Sequence, residues 1–265
     1  MSERKLGRWA LLLAAAAVFA VSLILVVWVS TPSEQEPPSK APLPTALPVQ
    51  TLSQIEAKAE SLTRERMANL PPVAIPSQVG GFPGEEVSAH LNRYREMMAV
   101  QGLYNQNVTR ERLIGEILDS AHGADIASKT LSDSAFAREA FGDFQAEARV
   151  LSIDVMKEAA RRGQDRYLER STSAIAQDLA RSDDGSGNLD KGRTADLRDL
   201  VRAYVDVKGL EAFTGSNPQA MQTLGYSATL PTGVKNVYDE VLFLRLKSQY
   251  GRERAAQMTA AILDH

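Results

Sequence analysis

The chain has 265 residues, 44% hydrophobic and 24% charged, with no cysteine, and its 30 Lys and Arg against 33 Asp and Glu leave a net charge of −3. This composition excludes a disordered chain, a disulfide scaffold, a thiolate zinc site and a cysteine nucleophile. The lack of a basic excess or a Lys/Arg stripe speaks against nucleic acid as a partner.

Residues 1–8 form a short tail carrying Arg4, Lys5 and Arg8. The stretch that follows, Trp9 to Val29, reads WALLLAAAAVFAVSLILVVWV without a charge. At about 1.5 Å per residue such a helix is roughly 30 Å long and matches a hydrocarbon core, so residues 9–29 are expected to span a membrane. Both tryptophans, Trp9 and Trp28, stand at the ends of the run, where an indole N–H reaches the headgroup layer. Basic residues before the span put the amino terminus in the cytoplasm and the bulk of the chain outside it, in a periplasmic or other extracytoplasmic space beyond an inner (plasma) membrane. A cleaved signal peptide is the alternative, with Ala15, Ala17 and Ala20 as small residues near a cleavage point. The run is longer than the apolar core of a usual signal peptide and favours an uncleaved signal anchor.

Residues 30–50 form a linker holding Pro32, Pro37, Pro38, Pro42, Pro44 and Pro48, half of the 12 prolines. Proline fixes φ and disfavours helix in the residue before it, so a semi-extended polyproline II spacer is expected, up to roughly 60 Å long at ~3.1 Å per residue. A short helix is predicted over Ser53 to Leu70, with Ser53 and Glu56 spaced as a capping box. It must stop at Pro71 and Pro72. Through residue 84, Pro76, Pro83, Gly80, Gly81 and Gly84 read as an irregular arm or second hinge. Within that arm Val73, Ile75, Val79 and Phe82 are candidate partner-binding residues, because an apolar segment flanked by prolines can dock in a groove or extend a sheet edge. The same segment can equally fold back onto its own domain.

Between Pro83 and Pro218 the chain holds no proline. Ala137, Phe141, Phe144, Ala148, Leu151 and Val155 recur at steps of four and three, one face of a packed helix. Similar faces occur at Leu113, Ile117 and Leu118; at Leu197, Leu200, Val201 and Tyr204; at Val234, Val237, Val241 and Leu244; and at Ala255, Met258 and Ile262. Breaks are expected at Gly102 to Asn107, Gly123, Gly163, Gly185 to Gly192, Gly209 to Pro218, Pro231 to Gly233 and Gly251. No strand alternation of useful length is present. The fold expected over residues 85–265 is therefore an all-α bundle of about seven helices. Tyr226, Leu230 and Val234 around the Pro231 turn are further contact candidates.

Catalytic patterns are scarce. His90 and His122 lie on different predicted helices without HxxxH spacing, and both read as surface or boundary histidines. No nucleophile elbow, Walker loop or dinucleotide fingerprint occurs, and nothing singles out Glu139 or Glu147 as a glycosidase acid pair.

One segment carries metal-like chemistry: Ser182 to Arg193, SDDGSGNLDKGR, between predicted helices Arg166 to Arg181 and Thr194 to Glu211. With Ser182 as position 1, Asp184 falls at 3, Ser186 at 5, Gly187 at 6, Asn188 at 7, Leu189 at 8 and Asp190 at 9. These twelve residues resemble the calcium loop of EF-hand proteins, and the resemblance implies weak calcium ligation by Asp184, Ser186, Asn188 and Asp190. The segment departs from that pattern at Ser182, a hydroxyl in place of a carboxylate, and at Arg193, where the family places a bidentate Glu. Read without the resemblance, the segment is a helix-to-helix loop whose Asp, Ser, Asn and Gly suit turns and caps. No other cofactor is implied.

The plan of tail, span, proline-alanine spacer and exported helical domain also resembles the membrane-anchored lipase foldases of Gram-negative bacteria. Their Arg-x-x-Phe-Asp-Tyr signature is approached by Arg138, Phe141, Asp143 and Phe144, with Gly142 inserted. Gly187, Asn188 and Leu189 with Leu197, Arg198, Leu200, Tyr204 and Gly209 follow the spacing without the Phe-Asp-Tyr. The likeness is architectural and transfers no functional residue.

Three basic and one acidic side chain precede residue 30, so the charge divides into +2 on that amino-terminal segment and −5 on the rest of the chain. That balance suits a soluble exported domain and gives no attraction for anionic lipid. The expectation is a non-enzymatic, single-pass module that binds an exported or inner-membrane protein in an envelope secretion, assembly or tethering system. An anchored chaperone and a helical cell-wall hydrolase are the alternatives.

Overall fold

The computed structural model describes residues 52–185, 187–214 and 219–263. The expected span at 9–29 and the linker at 30–50 lie outside the described residues, as do Ser186 and the side chains of Ser53 and Glu56. No helix among the described residues is long and apolar enough to cross a membrane.

Helix α1 runs over Leu52–Ala68 and ends ahead of Pro71 and Pro72. Strands β1 (Gln78–Val79) and β2 (Phe82–Pro83) follow, then α2 (Gly84–Ala99) and α3 (Leu103–Leu118). Next come α4 (Gly123–Ser132), α5 (Ser134–Phe141), a 3₁₀ turn (Gly142–Phe144), α6 (Gln145–Arg161) and α7 (Asp165–Ser182). The chain closes with α8 (Lys191–Lys208), the four-residue α9 (Glu211–Thr214) and α10 (Ala220–Thr223), α11 (Thr232–Tyr250) and α12 (Arg252–Leu263).

The expected all-α class holds. From Gly84 onward the described residues form nine helices of eight or more residues and two of four, more than the seven expected. Local chemistry accounts for the extra ends. Asp133 lies between α4 and α5, and its side chain accepts a hydrogen bond from the Phe136 N–H at 2.9 Å, capping α5. The continuous face expected from Ala137 to Val155 is split at Gly142, whose φ of 55° and ψ of −128° no helix tolerates. Both halves of the pattern still point inward, because the 3₁₀ turn redirects the chain without exposing Phe141 or Ala148. The expected break at 102–107 shrinks to Gly102, since α3 begins at Leu103.

The arm at 71–84 is irregular only over its first half, residues 71–77. Gln78 pairs with Pro83 and Val79 with Phe82 in an antiparallel hairpin, closed by Gly80 and Gly81 at φ 57° and 91°. Two successive positive φ values are what a two-residue hairpin turn of the right twist requires. Gly80 also lacks a side chain for a second reason: a Cβ there would overlap the Phe136 ring. Lys129 locks the hairpin by donating from Nζ to the Gly80 carbonyl at 2.8 Å while standing over the Phe82 and Phe136 rings.

Helix α6 is the axis of the bundle. It packs on α3, α4, α5, α7 and α8, and Ala148, Ala159 and Ala160 let these neighbours approach closely. The α11–α12 hairpin covers α8 on one side, and α1 packs chiefly on α2 at the other. Four buried hydroxyls pair within the core, Tyr94 with Ser152 at 2.8 Å and Ser128 with Ser171 at 2.9 Å. Helix α1 and the hairpin both pack on α2, within one compact unit.

Candidate functional site

A groove of about 640 Å³ lies between α1 and α3, floored by Glu96 and Val100 at the end of α2. One wall is Ala59, Glu60, Thr63, Arg64 and Met67 of α1; the other is Tyr104, Asn105, Val108, Thr109 and Arg112 of α3. Both walls have the spacing i, i+1, i+4, i+5, i+8, the face a helix offers to a helical neighbour. Tyr104 is 78% exposed and Val108 49% exposed. The two lie one turn apart on one face of α3 and line the concavity.

The groove has a rigid frame. Arg66 donates from Nη1 to the Ala99 carbonyl at 3.1 Å, holding α1 to the end of α2. Gln106 donates to the Val100 carbonyl at 2.9 Å, pinning the first turn of α3. Arg112 donates to Glu96 at 2.7 Å and also to Glu116, so its charge is neutralised within the wall. Glu60 and Arg64, by contrast, form no ion pair among the described residues, although four residues apart on one helix. The groove is lined by apolar and polar side chains together and carries one open charge of each sign on α1.

The EF-hand-like loop is organised differently from its pattern. Arg193, at the glutamate position, turns inward: it is 8% exposed, donates through Nη1 to the Leu131 carbonyl, and pairs with Asp178 at 3.3 Å. Asp190 caps α8 by accepting from the Arg193 N–H at 2.7 Å, and Asp183 accepts from the Gly185 N–H at 2.9 Å. Leu189 packs on the core at Gly233. The guanidinium thus leaves the loop for α4 and α7, and the twelfth position supplies no ligand oxygen. Among the described residues no cluster of three His, Asp or Glu side chains is placed to hold a metal.

Beside Arg193, Asp196 and Arg149 form a largely buried ion pair, Nε to Oδ2 at 3.0 Å but misaligned for a hydrogen bond. Burial pushes the Asp196 carboxyl above its usual range, and Arg149 and Arg193 draw it back.

The arm residues turn inward as well. Val79 is 1% exposed and in the core, while Val73, Ile75 and Phe82 pack against it, so the hairpin folds back on its own domain. Val234 is buried in the core, and Tyr226 and Leu230 are partly buried against that core. Glu139 and Glu147 are both exposed.

The histidines divide. His122 is part-exposed and pairs through Nδ1 with Glu86 at 2.7 Å. His90 is a core residue, contrary to the surface or boundary position expected: it is 2% exposed, edge-on to Tyr94 with ring centroids 4.4 Å apart, and its Nε2 has no hydrogen-bond partner among the described residues. Burial, reinforced by the Arg93 charge, lowers its pKa from 6.5 to about 3, so the ring is neutral.

Sequence reasoning missed the groove residues. The available signal was the pair Tyr104 and Val108, which lies off the Leu113, Ile114 and Ile117 face that α3 buries. Comparisons of the chain with protein-family models, curated proteins and solved structures give no match.

Proposed function

We propose that this chain is a membrane-anchored helical interaction and assembly module, without catalysis of its own, that holds an apolar helix in the groove between α1 and α3. The observation that carries this reading is Tyr104, standing open with Val108 on a wall whose partner helix is framed but not closed over it. A cavity of about 640 Å³ suits the few anchor side chains of an amphipathic helix, the helix-in-groove mode of recognition. Tethering is supported by the sequence. The apolar run 9–29 has the length of a membrane span, and the proline-rich spacer leads directly into α1, which forms one wall.

The test is a photo-crosslinking amino acid at position 104 in the full chain, expressed in its host membrane. The expected outcome is an adduct of discrete mass. Labelling no stronger than that from the same probe at Val150, an exposed residue of α6, would count against the groove as a contact surface.

A further inference from the structure

We infer that the cleft bounded by the hairpin, α4 and α7 binds an α-amino acid zwitterion with an aromatic side chain. The cleft measures about 430 Å³, within the range of small-molecule sites, and shares no lining residue with the α1–α3 groove. Phe82 of β2 and His122, just ahead of α4, give it an aromatic side, with ring centroids 5.8 Å apart. Asp125 and Lys129 of α4, Asp133 just after that helix, and Arg170 of α7 give it two charges of each sign.

Asp125, Lys129 and Asp133 follow one another at steps of four, the spacing at which a helix ordinarily closes ion pairs. None closes here, because each group is held elsewhere. Asp125 accepts from the Tyr167 hydroxyl at 3.4 Å and Asp133 from the Phe136 N–H at 2.9 Å, while Lys129 donates to the Gly80 carbonyl at 2.8 Å. Each carboxylate keeps a second oxygen, and the Lys129 ammonium keeps two further protons. Arg170 is exposed and has neither an ion pair nor a side-chain hydrogen bond among the described residues.

Opposite charges that line one cleft without meeting suit a ligand that carries both. The ligand's carboxylate takes the Arg170 fork and the Lys129 ammonium, its own ammonium takes Asp125 or Asp133, and its ring lies against Phe82 and His122. A plain anion would face the two carboxylates and a plain cation the two bases, so neither is matched.

Ligand-observed NMR on the full chain in detergent, with L-phenylalanine, 3-phenylpropionate and phenethylamine as probes, separates these cases. L-Phenylalanine is expected to bind, and each singly charged analogue to bind about tenfold more weakly. Arg170→Gln, at an unchanged melting temperature, and Asp125→Asn, from the opposite charge, are each expected to lower L-phenylalanine affinity about tenfold. No binding of L-phenylalanine up to about 10 mM, an analogue that binds equally well, or full affinity in either variant would overturn the site.

Discussion

Arg193 donates from Nη1 to the carbonyl oxygen of Leu131, tying the first turn of α8 to the last turn of α4. A cation in its own helix's first turn is opposed by that helix's dipole. Here the side chain carries the charge to the carboxyl end of a neighbouring helix, where orphan carbonyls and the dipole both favour it. Replacing Arg193 by Met keeps the stem but strands the Leu131 carbonyl and removes a charge-assisted bond. The expected loss is about 3 kcal/mol of unfolding free energy, read as a lower urea midpoint with an unchanged m-value.

Because a built-in guanidinium stands where a calcium loop needs a bidentate carboxylate, calcium is expected to leave the protein's melting temperature unmoved at several millimolar. A site with the weak affinity of extracellular calcium modules would stabilise the fold by about 1–2 kcal/mol under those conditions, a shift that calorimetry resolves.

His90 makes acid stability measurable at one residue. Its folded pKa of about 3 lies below the 6.5 of an exposed histidine. Between those values the unfolded chain takes up a proton that the folded chain refuses, so its contribution is present above pH 6.5 and is lost as pH falls towards 3. The slope from this residue approaches about 1.4 kcal/mol per pH unit. His90→Phe keeps an aromatic edge on Tyr94 and removes the unpartnered Nε2. The variant is expected to gain about 1 kcal/mol at neutral pH and to show a flatter stability profile than the parent from pH 6 to pH 4, by denaturant titration.

Gly142 separates α5 from α6 at a positive φ, with nothing near enough to meet an added Cβ. Any cost of Gly142→Ala is therefore backbone strain and not collision. Chemical denaturation should show a loss of about 1–2 kcal/mol, whereas a helix running through this point would gain stability from the alanine.

Tyr104 and Val108 are exposed enough that stability and association should separate. The double change Tyr104→Ser and Val108→Ser is expected to alter unfolding free energy by less than about 0.5 kcal/mol while abolishing the adduct captured by a photo-crosslinking residue at position 105, on the same groove wall. A parallel loss of fold and association would assign the pair to the core.

Helix starts and stops were mostly legible in the sequence because they depend on neighbours along the chain. Proline ends α1 and glycine follows α8 and α11, whereas the aspartate caps that open α5 and α8 emerge only in the structure. Period 3.6 likewise showed which face of α6 or α8 is buried, since a helix meets its core along one stripe whatever the topology. Tertiary packing alone decided the rest. His90 is a core residue because Tyr94 and Phe141 enclose it; Arg193 is drawn in by a carbonyl 62 residues away; and Val79 is covered once Gly80 lets the hairpin close against Phe136. The groove belongs to the same class. Tyr104 and Val108 read as an ordinary apolar pair on a helix, and only the separation of α1 from α3 across the end of α2 leaves them facing an unfilled space, because that separation is set by contacts far apart in sequence.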